Sequence, residues 1–456
     1  MSSSPILNKY NASEIFRNPD LETIFLNLEI PENIVDKTDE LAKLVNTGKS
    51  REEPFSRWVR YREGYSPEFV QRILEMFPIN PDNEYIFDPM CGSGSTQVAA
   101  QQLSISSAGT DVSPYAVLVS QVKTRLLTKA DTLKIKTFIM NLERTIKNGT
   151  TAFSNSENYL RQYFPENNFE SLIAIKRTIN HEFKGSVGAR EFLSIALLAI
   201  VEVCSNRKKD GNGLATRDSA VTDALPHFKT KVNEMLIDLY QASWLDVPSI
   251  SIQRSALEID ESIKEISNSF NKSLGAIIFS PPYANSFDYY ESYKLELLFG
   301  DFFTVETIRA ERKKLIRSYR QMGKSQRVNS LPTVEMLIDE IMARLPTKEE
   351  TSGVRDGRSR LLPNMLRGYF EDMQEFMRRS AEQMPLGSYM AIIVDQSAYM
   401  GALVPTDLIL AEIAVELGFV FEKLVICRRA KTSSQQISIQ PALGDLLRES
   451  AVILRR

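Results

Sequence analysis

YIFDPMCGSGSTQVAAQQLSISSAGTDVSPYAVLVSQVKT, residues 85–124, is the stretch that decides the fold. A short apolar run, YIF, meets a glycine turn. A helical stretch follows, then a second short run, SAGTD, an acidic turn and another helix. A strand, a helix that returns along it and a second strand make the repeating unit of a parallel sheet, here the first half of a doubly wound, Rossmann-like α/β fold. The rhythm stops near residue 128, where amphipathic helical stretches such as LKIKTFIMNLERTI, REFLSIALLAIVEV and HFKTKVNEMLIDLYQAS take over. It resumes with SISIQRSALEI and GAIIFSPPY, and ends with SYMAIIV, FVFEKLVICR and SAVILRR as strands around two more helices.

The expected organisation is an N-terminal arm over 1–55, polar and loosely packed, and a first half of the sheet over 56–127. A helical insert then spans 128–248, and 249–456 holds the second half with a charged segment at 304–361. Just ahead of the first strand, Ser66 can cap a helix whose first turn holds Pro67 and Glu68 and whose apolar face is Phe69, Val70, Ile73, Leu74 and Phe77.

Composition narrows the function. The chain has 456 residues, 43% hydrophobic and 25% charged, the balance of a soluble globular protein. Its formal net charge of −3 gives the molecule as a whole no attraction for nucleic acid, so a polyanion must be met by a local patch. No apolar run approaches the ~18 residues of a membrane span. The amino terminus MSSSPILNKYNASEIF lacks a signal-peptide layout, so a cytoplasmic protein with no membrane partner is expected. Cys91, Cys204 and Cys427 are far apart and the only histidines are His181 and His227. No metal site is expected from so few scattered ligands, and histidine acid–base chemistry is poorly supplied.

The glycine turn DPMCGSGST, Asp88 to Thr96, opens a helix whose amino terminus attracts negative charge. Gly92 and Gly94 let backbone approach a ligand that a Cβ would hold away. Asp111 ends the next strand ~20 residues on, where an acid accepts the ribose hydroxyls of an adenosine. A dinucleotide site prefers a third small residue where this chain has Gln97, which argues against NAD. Asp88 and Pro89 ahead of the glycines suit an adenosyl ligand that carries an amino acid.

SPPY, Ser280 to Tyr283, closes the buried run GAIIF with two stiff residues and an aromatic. An exocyclic amine on a nucleobase is a poor nucleophile because its lone pair is delocalised into the ring. A carbonyl fixed between two prolines accepts one amine hydrogen and favours the pyramidal nitrogen, and the Ser280 hydroxyl takes the second. Tyr283 offers a flat face for a base taken out of its stack. Phe287, Tyr289, Tyr290 and Tyr293 follow at helical spacing and read mostly as core, with Phe287 or Tyr289 beside the extruded base.

With both loops in view, the chain resembles the S-adenosylmethionine-dependent amino-methyltransferases of DNA, which act on cytosine N4 or adenine N6. The likeness covers roughly 57–125 and 250–456. It implies a class I methyltransferase fold, a mostly parallel seven-stranded sheet, with S-adenosylmethionine as cofactor and no metal. RWVRYREGYSPEFVQRIL, Arg57 to Leu74, looks like the segment that closes over the methionine end. The resemblance implies cofactor contacts from Tyr61, Asp88, Pro89, Met90, Cys91, Gly92, Gly94, Thr96, Asp111 and Val112, and catalytic roles for Ser280, Pro281, Pro282 and Tyr283. The serine-first form SPPY leans toward cytosine N4. Cytosine C5 chemistry needs a cysteine nucleophile, usually after proline, and neither Cys204 nor Cys427 has that setting. Where the family commonly has an acid after the third strand, this chain has Arg254-Ser255, and Met90 replaces the usual aromatic of the glycine turn.

The implied partners are double-stranded DNA and a cognate restriction endonuclease, in a restriction-modification or phage-defence setting. IRAERKKLIRSYRQMGKSQR, Ile308 to Arg327, holds eight basic residues against one acid and is the expected phosphate-contacting stretch, with Arg317, Arg320, Lys324 and Arg327 its best candidates. Arg428, in CRRAKTSSQQ, is a further one, and the insert's loop CSNRKKDGNGLATRDS is a candidate target-recognition element. Two rival readings are an RNA guanine-N2 methyltransferase and a non-catalytic module that keeps the cofactor pocket and binds DNA without turnover.

Overall fold

The computed structural model describes residues 16–28, 33–45, 52–62, 64–146, 153–210, 213–219, 221–285, 287–319, 331–353, 355–357, 359–430 and 439–456. Eight strands build one sheet: β1 (Ile34–Asp36), β2 (Glu84–Asp88), β3 (Ser106–Asp111), β4 (Ser249–Gln253), β5 (Ser273–Phe279), β6 (Tyr389–Asp395), β7 (Val420–Arg429) and β8 (Arg448–Arg455). Their order across the sheet is β1-β7-β8-β6-β5-β2-β3-β4. The run β4, β3, β2, β5, β6 is parallel throughout, while β8 lies antiparallel between β6 and β7. That order, which turns outward in both directions from β2 and β5 and has one reversed strand near an edge, is the class I methyltransferase sheet. The strand-order reversal between β2 and β5 is a topological switch point, where the loops at the strands' carboxyl ends diverge and leave a crevice.

Sequence explains the local elements. Ser66 Oγ accepts the Phe69 amide at 3.1 Å and Pro67 sits in the first turn, so the helix Pro67–Leu74 starts where the cap predicts. The strands β5 and β6 are buried on both faces, which is why they read as unbroken apolar runs and not as alternating ones.

Two expectations about the sheet and its flanks need correction. The sheet has eight strands, not seven: Ile34–Asp36 pairs in parallel with Leu424–Ile426 and extends the edge. Three residues are too few to show a period of two in sequence. The described part of the N-terminal arm is also not loose. Phe16, Leu21 and Phe25 are buried in the main core, and the Arg17 and Asn18 amides donate to the Glu340 carboxylate at 2.9 and 3.1 Å.

The stretch 129–241 is chiefly helical, with helices at Lys129–Thr145, Asn155–Arg161, Glu166–Glu182, Val187–Cys204 and Ala224–Gln241 and a hairpin of Arg207–Asp210 with Gly213–Thr216. Its apolar core is continuous with Phe55, Trp58, Tyr115 and Leu295 and with Tyr290 and Tyr293, which line the crevice. The buried carboxylate of Asp238 fastens this body to the segment ahead of the glycine turn, accepting the Phe55 amide at 3.0 Å and Trp58 Nε1 at 2.8 Å and pairing with Arg57.

A second buried acid ties the reversed strand to its helix. Asp407 Oδ2 accepts Arg448 Nε at 2.7 Å and Ser450 Oγ at 3.1 Å, and its other oxygen accepts Gln396 Nε2 at 2.8 Å, with both charged side chains sealed from solvent. Asp407→Ala removes the buried carboxylate to which Arg448, Ser450 and Gln396 all donate. The expected loss is about 3–5 kcal/mol in a urea unfolding curve; a loss below about 1 kcal/mol would show that the pair contributes little.

Candidate active site

Three strand ends converge on one crevice. Asp88 ends β2 and leads into the glycine turn, Asp111 ends β3, and Ser280 follows β5. Because β2 and β5 are hydrogen-bonded neighbours with Phe87 opposite Ile277, the glycine turn and SPPY emerge side by side at the same edge. The cleft between them holds about 940 Å³ of empty space open to solvent, and its walls include Asp88, Pro89, Met90, Cys91, Gly92, Asp111, Val112, Ser280 and Pro282.

The glycine turn is held from beneath. Asp88 Oδ1 accepts the Met90 amide at 3.0 Å, and Oδ2 accepts the Thr96 hydroxyl at 2.6 Å and Tyr65 Oη at 3.1 Å. Burial pushes the Asp88 carboxyl up to about 7, against the pull of these hydrogen bonds. The Cys91 amide donates to the Thr110 carbonyl at 2.9 Å and the Thr110 hydroxyl to the Pro89 carbonyl at 3.1 Å, which zips the turn to β3. Thr96 therefore acts on the turn through Asp88 and does not line the cleft.

The two glycines have different reasons. Gly92 has φ +49° and a Cβ there would sit 2.9 Å from the Tyr61 ring, a wall of the cleft; its amide donates to Asp111 Oδ2 at 3.0 Å. Gly94 has φ +79°, and a Cβ there would sit 2.5 Å from Ser120 Oγ on the helix Pro114–Lys123. Gly94 thus has a helix-packing reason of its own, and it is absent from the cleft lining. Asp111 Oδ1 also accepts the Ser113 amide at 2.8 Å, and desolvation pushes its carboxyl up to about 6.

Gln97, read in sequence only as an argument against NAD, has a structural task. Its buried amide donates to the Ile250 carbonyl at 3.0 Å and Ser251 Oγ at 2.9 Å, and its carbonyl accepts Ser120 Oγ, so it stitches the helix Ser95–Gln102 to β4.

The far wall is aromatic. Tyr61, Tyr289, Tyr290 and Tyr293 all line the cleft, and Tyr61 stacks on Tyr293 with centroids 4.8 Å apart. Lys209, from the hairpin of the helical body, lies 4.2 Å over the Tyr293 ring and pairs with the buried Glu296. Tyr290 is only 1% exposed and its hydroxyl has no hydrogen-bond partner. Tyr289, with Pro282 and Phe287, also lines a smaller adjoining pocket that Asp288, Arg312 and Tyr319 complete. The helical spacing of these tyrosines suggested core, and Tyr290 and Tyr293 are core residues that also line the cleft.

Several expected contacts fall elsewhere. Tyr283 does not face the cleft: it is 4% exposed, and its hydroxyl donates to Glu449 Oε1 at 2.5 Å and accepts Ser280 Oγ at 3.2 Å. Its ring is therefore not the exposed stacking face read from the sequence. Pro281 is likewise absent from the cleft lining, while Ser280 and Pro282 form part of it. Arg317 is not free for phosphate, since its guanidinium grips Asp372 at 2.6 Å and Glu371 at 3.2 Å. Arg428 is committed to Glu449. The basic stretch is not one solvated helix: Thr307–Glu311 and Arg312–Lys314 are short turns, Arg312 pairs with Asp288 and Glu291, and Lys314, Leu315 and Ile316 line the cleft. Arg320, Lys324 and Arg327 lie outside the described residues. Sequence reading put Tyr290 in the core and Lys314 in a phosphate-contacting stretch, and missed Glu449. Glu449 left no distinctive signal, lying in a last strand that also holds Arg448, Ser450 and Arg455.

Ser255 and Ala256 line the cleft at the end of β4, where an acid was expected, and Arg254 turns away to pair with Glu265. The residues fit an adenosyl cofactor that carries an amino acid. Asp111 would take the ribose, Met90, Val112 and Ala256 offer apolar surface to the ring, and the turn beside Asp88 with Tyr61 would hold the amino-acid end. Among the described residues no group of three or more His, Cys, Asp or Glu is placed to hold a metal, and no helix is long and apolar enough to cross a membrane.

Fold and cleft define a class I methyltransferase that uses S-adenosylmethionine. No protein-family model matches the chain. It is similar to the Type II methyltransferase M.BsoBI of Geobacillus stearothermophilus, 25% identical with 89% of this chain and 86% of that protein covered. Type II methyltransferase M.AvaI of a Nostoc strain is also 25% identical, with 86% and 85% covered. M.MjaII of Methanocaldococcus jannaschii is 34% identical over 80 residues, 17% of this chain and 14% of that one. The resemblance read from the two motifs thus extends over most of the chain. Among solved structures, an rRNA methyltransferase, aviRa from Streptomyces viridochromogenes, covers 85% of this chain and 83% of its own at a TM-score of 0.29 and 9% identity, too distant to bear on the assignment.

The buried Asp88 has a pH signature. Its folded value near 7 lies above its ordinary 3.8, so the native state binds the extra proton and stability falls as pH rises from about 4 to 7. Asp88→Asn removes this fall. The unfolding free energy of the variant minus that of the wild type, measured without ligand by urea denaturation, is expected to climb across that window; a difference flat with pH would contradict the assignment.

Proposed function

We propose that the protein methylates an exocyclic amino group at specific sites in double-stranded DNA, with cytosine N4 favoured over adenine N6, beside a cognate restriction endonuclease in the cytoplasm. The observation that carries the reading is the juxtaposition of the glycine turn and the SPPY loop on adjacent parallel strands facing one cleft. When bound, S-adenosylmethionine supplies an electrophilic methyl group on sulfur. The chain's own part is to hold and orient the amine. Ser280 donates its hydrogen toward Tyr283, so the Oγ lone pairs are left to accept a hydrogen from the amine. The serine-first motif supports cytosine N4, and the Type II names of the relatives support DNA and a restriction setting.

The base receives its aromatic wall from Phe287 and Tyr289 in the pocket beside Pro282, in place of Tyr283. Phosphate contacts fall to the segment holding Arg320, Lys324 and Arg327 and to the helical body over 128–248, which also reads the target. The test is transfer of tritiated methyl from S-adenosylmethionine to unmethylated duplex DNA and to RNA, followed by base analysis of the product. N4-methylcytosine in DNA is the expected result. N6-methyladenine would correct the base alone, label in RNA only would replace the reading with RNA guanine methylation, and cofactor binding without transfer would leave a non-catalytic module. On the confirmed substrate, Tyr289→Ala is expected to lower methyl transfer at least tenfold while changing cofactor affinity less than threefold; an unaffected rate would remove Tyr289 from the base pocket.

A further inference from the structure

Directly behind the SPPY loop lies a buried acid from the neighbouring end of the sheet. Glu449, in β8, is 2% exposed. Its Oε1 accepts Tyr283 Oη at 2.5 Å, and its Oε2 pairs with Arg428 Nε on β7. Tyr283 Oη in turn accepts Ser280 Oγ at 3.2 Å. Every donor in this row points the same way, from the serine at the cleft wall through the tyrosine to the carboxylate. Burial and the Glu449 charge push the Tyr283 hydroxyl well above its ordinary value, so it stays protonated and remains a donor.

We propose that Glu449 positions the catalytic loop through Tyr283 and is the terminal acceptor of the proton that the target amine loses during methylation. The proposal rests on the amino-methyltransferase reading above. An amine nitrogen that gains a methyl group carries one proton too many and must shed it. As the new N–C bond forms, the electron pair of the S–C bond leaves with sulfur. The amine proton passes to Ser280 Oγ, the Ser280 proton to Tyr283 Oη and the Tyr283 proton to Glu449 Oε1. One proton has moved from nitrogen to carboxylate, and no further reactant is needed.

The surroundings suit an acceptor. Arg428 faces Glu449 from β7 as its counter-charge, Asp395 stands opposite it on β6, and Cys427 lies beside Arg428. Arg448, next to Glu449 in sequence, is turned to Asp407. A serine-first loop has no carboxylate of its own at the amine, and the relay supplies one from the strand two places across the sheet.

The test compares Glu449→Gln, Tyr283→Phe and the double variant with the wild type. The glutamine side chain of E449Q retains an oxygen that accepts the tyrosine hydroxyl, so the anchor survives while the proton acceptor is lost; Y283F keeps the ring and cuts the row. Affinities for S-adenosylmethionine and for duplex DNA are expected within twofold of wild type, and single-turnover methyl transfer at least tenfold slower in each variant. The double variant should be no slower than the slower single one. Either variant transferring within twofold of wild type, or losses that multiply in the double variant, would overturn the relay while leaving the methyltransferase reading in place. A wild-type protein that methylates no nucleobase amine would overturn both.

Discussion

The parallel ladder between Glu84–Asp88 and Ser273–Phe279 is the interaction on which the rest depends. The two segments are almost 200 residues apart in sequence, and only their pairing brings the glycine turn beside SPPY. Strands hydrogen-bonded side by side lie ~4.8 Å apart, so loops leaving their carboxyl ends need no closure motion to share a cleft. A slip of one residue would turn Asp88 and its neighbours to the other face. The cores packed on the two faces fix that register, through Tyr85, Phe87, Ile277 and Phe279 on one and Ile86, Ala276 and Ile278 on the other.

Around this ladder the polar groups are arranged in depth. Asp88 and Asp111 lie under the cofactor side of the cleft, each satisfied by amides of the turn it supports, and Glu449 lies under the catalytic loop. Asp88 and Glu449 are buried and Asp111 partly so, where an unpaired charge would be costly, and each has hydrogen-bond donors that make the burial tolerable. The helical body contributes the opposite wall through the Lys209–Tyr293–Tyr61 column, so its folding and the shape of the cleft are linked.

Much of this was legible in the sequence. The strand–turn–helix rhythm around DPMCGSGST, the acid at Asp111 and the placement of SPPY on the same sheet follow from local patterns, because periodicity, glycine turns and proline stops are encoded within a few residues. What sequence hid was long-range. Tyr283 and Glu449 are separated by 165 intervening residues and meet only through the reversed strand. Arg317 and Arg428 read as free basic residues because their partners, Asp372 and Glu449, sit on distant elements. The packing of Gly94 on the helix Pro114–Lys123 and the bonds that Gln97 makes to β4 were likewise hidden, because their partners lie on other elements.

The central claim is that the methyl donor and the amine-presenting loop meet at the switch point. A crystal structure of the protein with S-adenosylmethionine tests it most directly. The account predicts the ribose on Asp111 and the methyl group pointed at Ser280 and Pro282. A donor bound outside this cleft, or bound within it with the methyl group turned away from the SPPY loop, would contradict it.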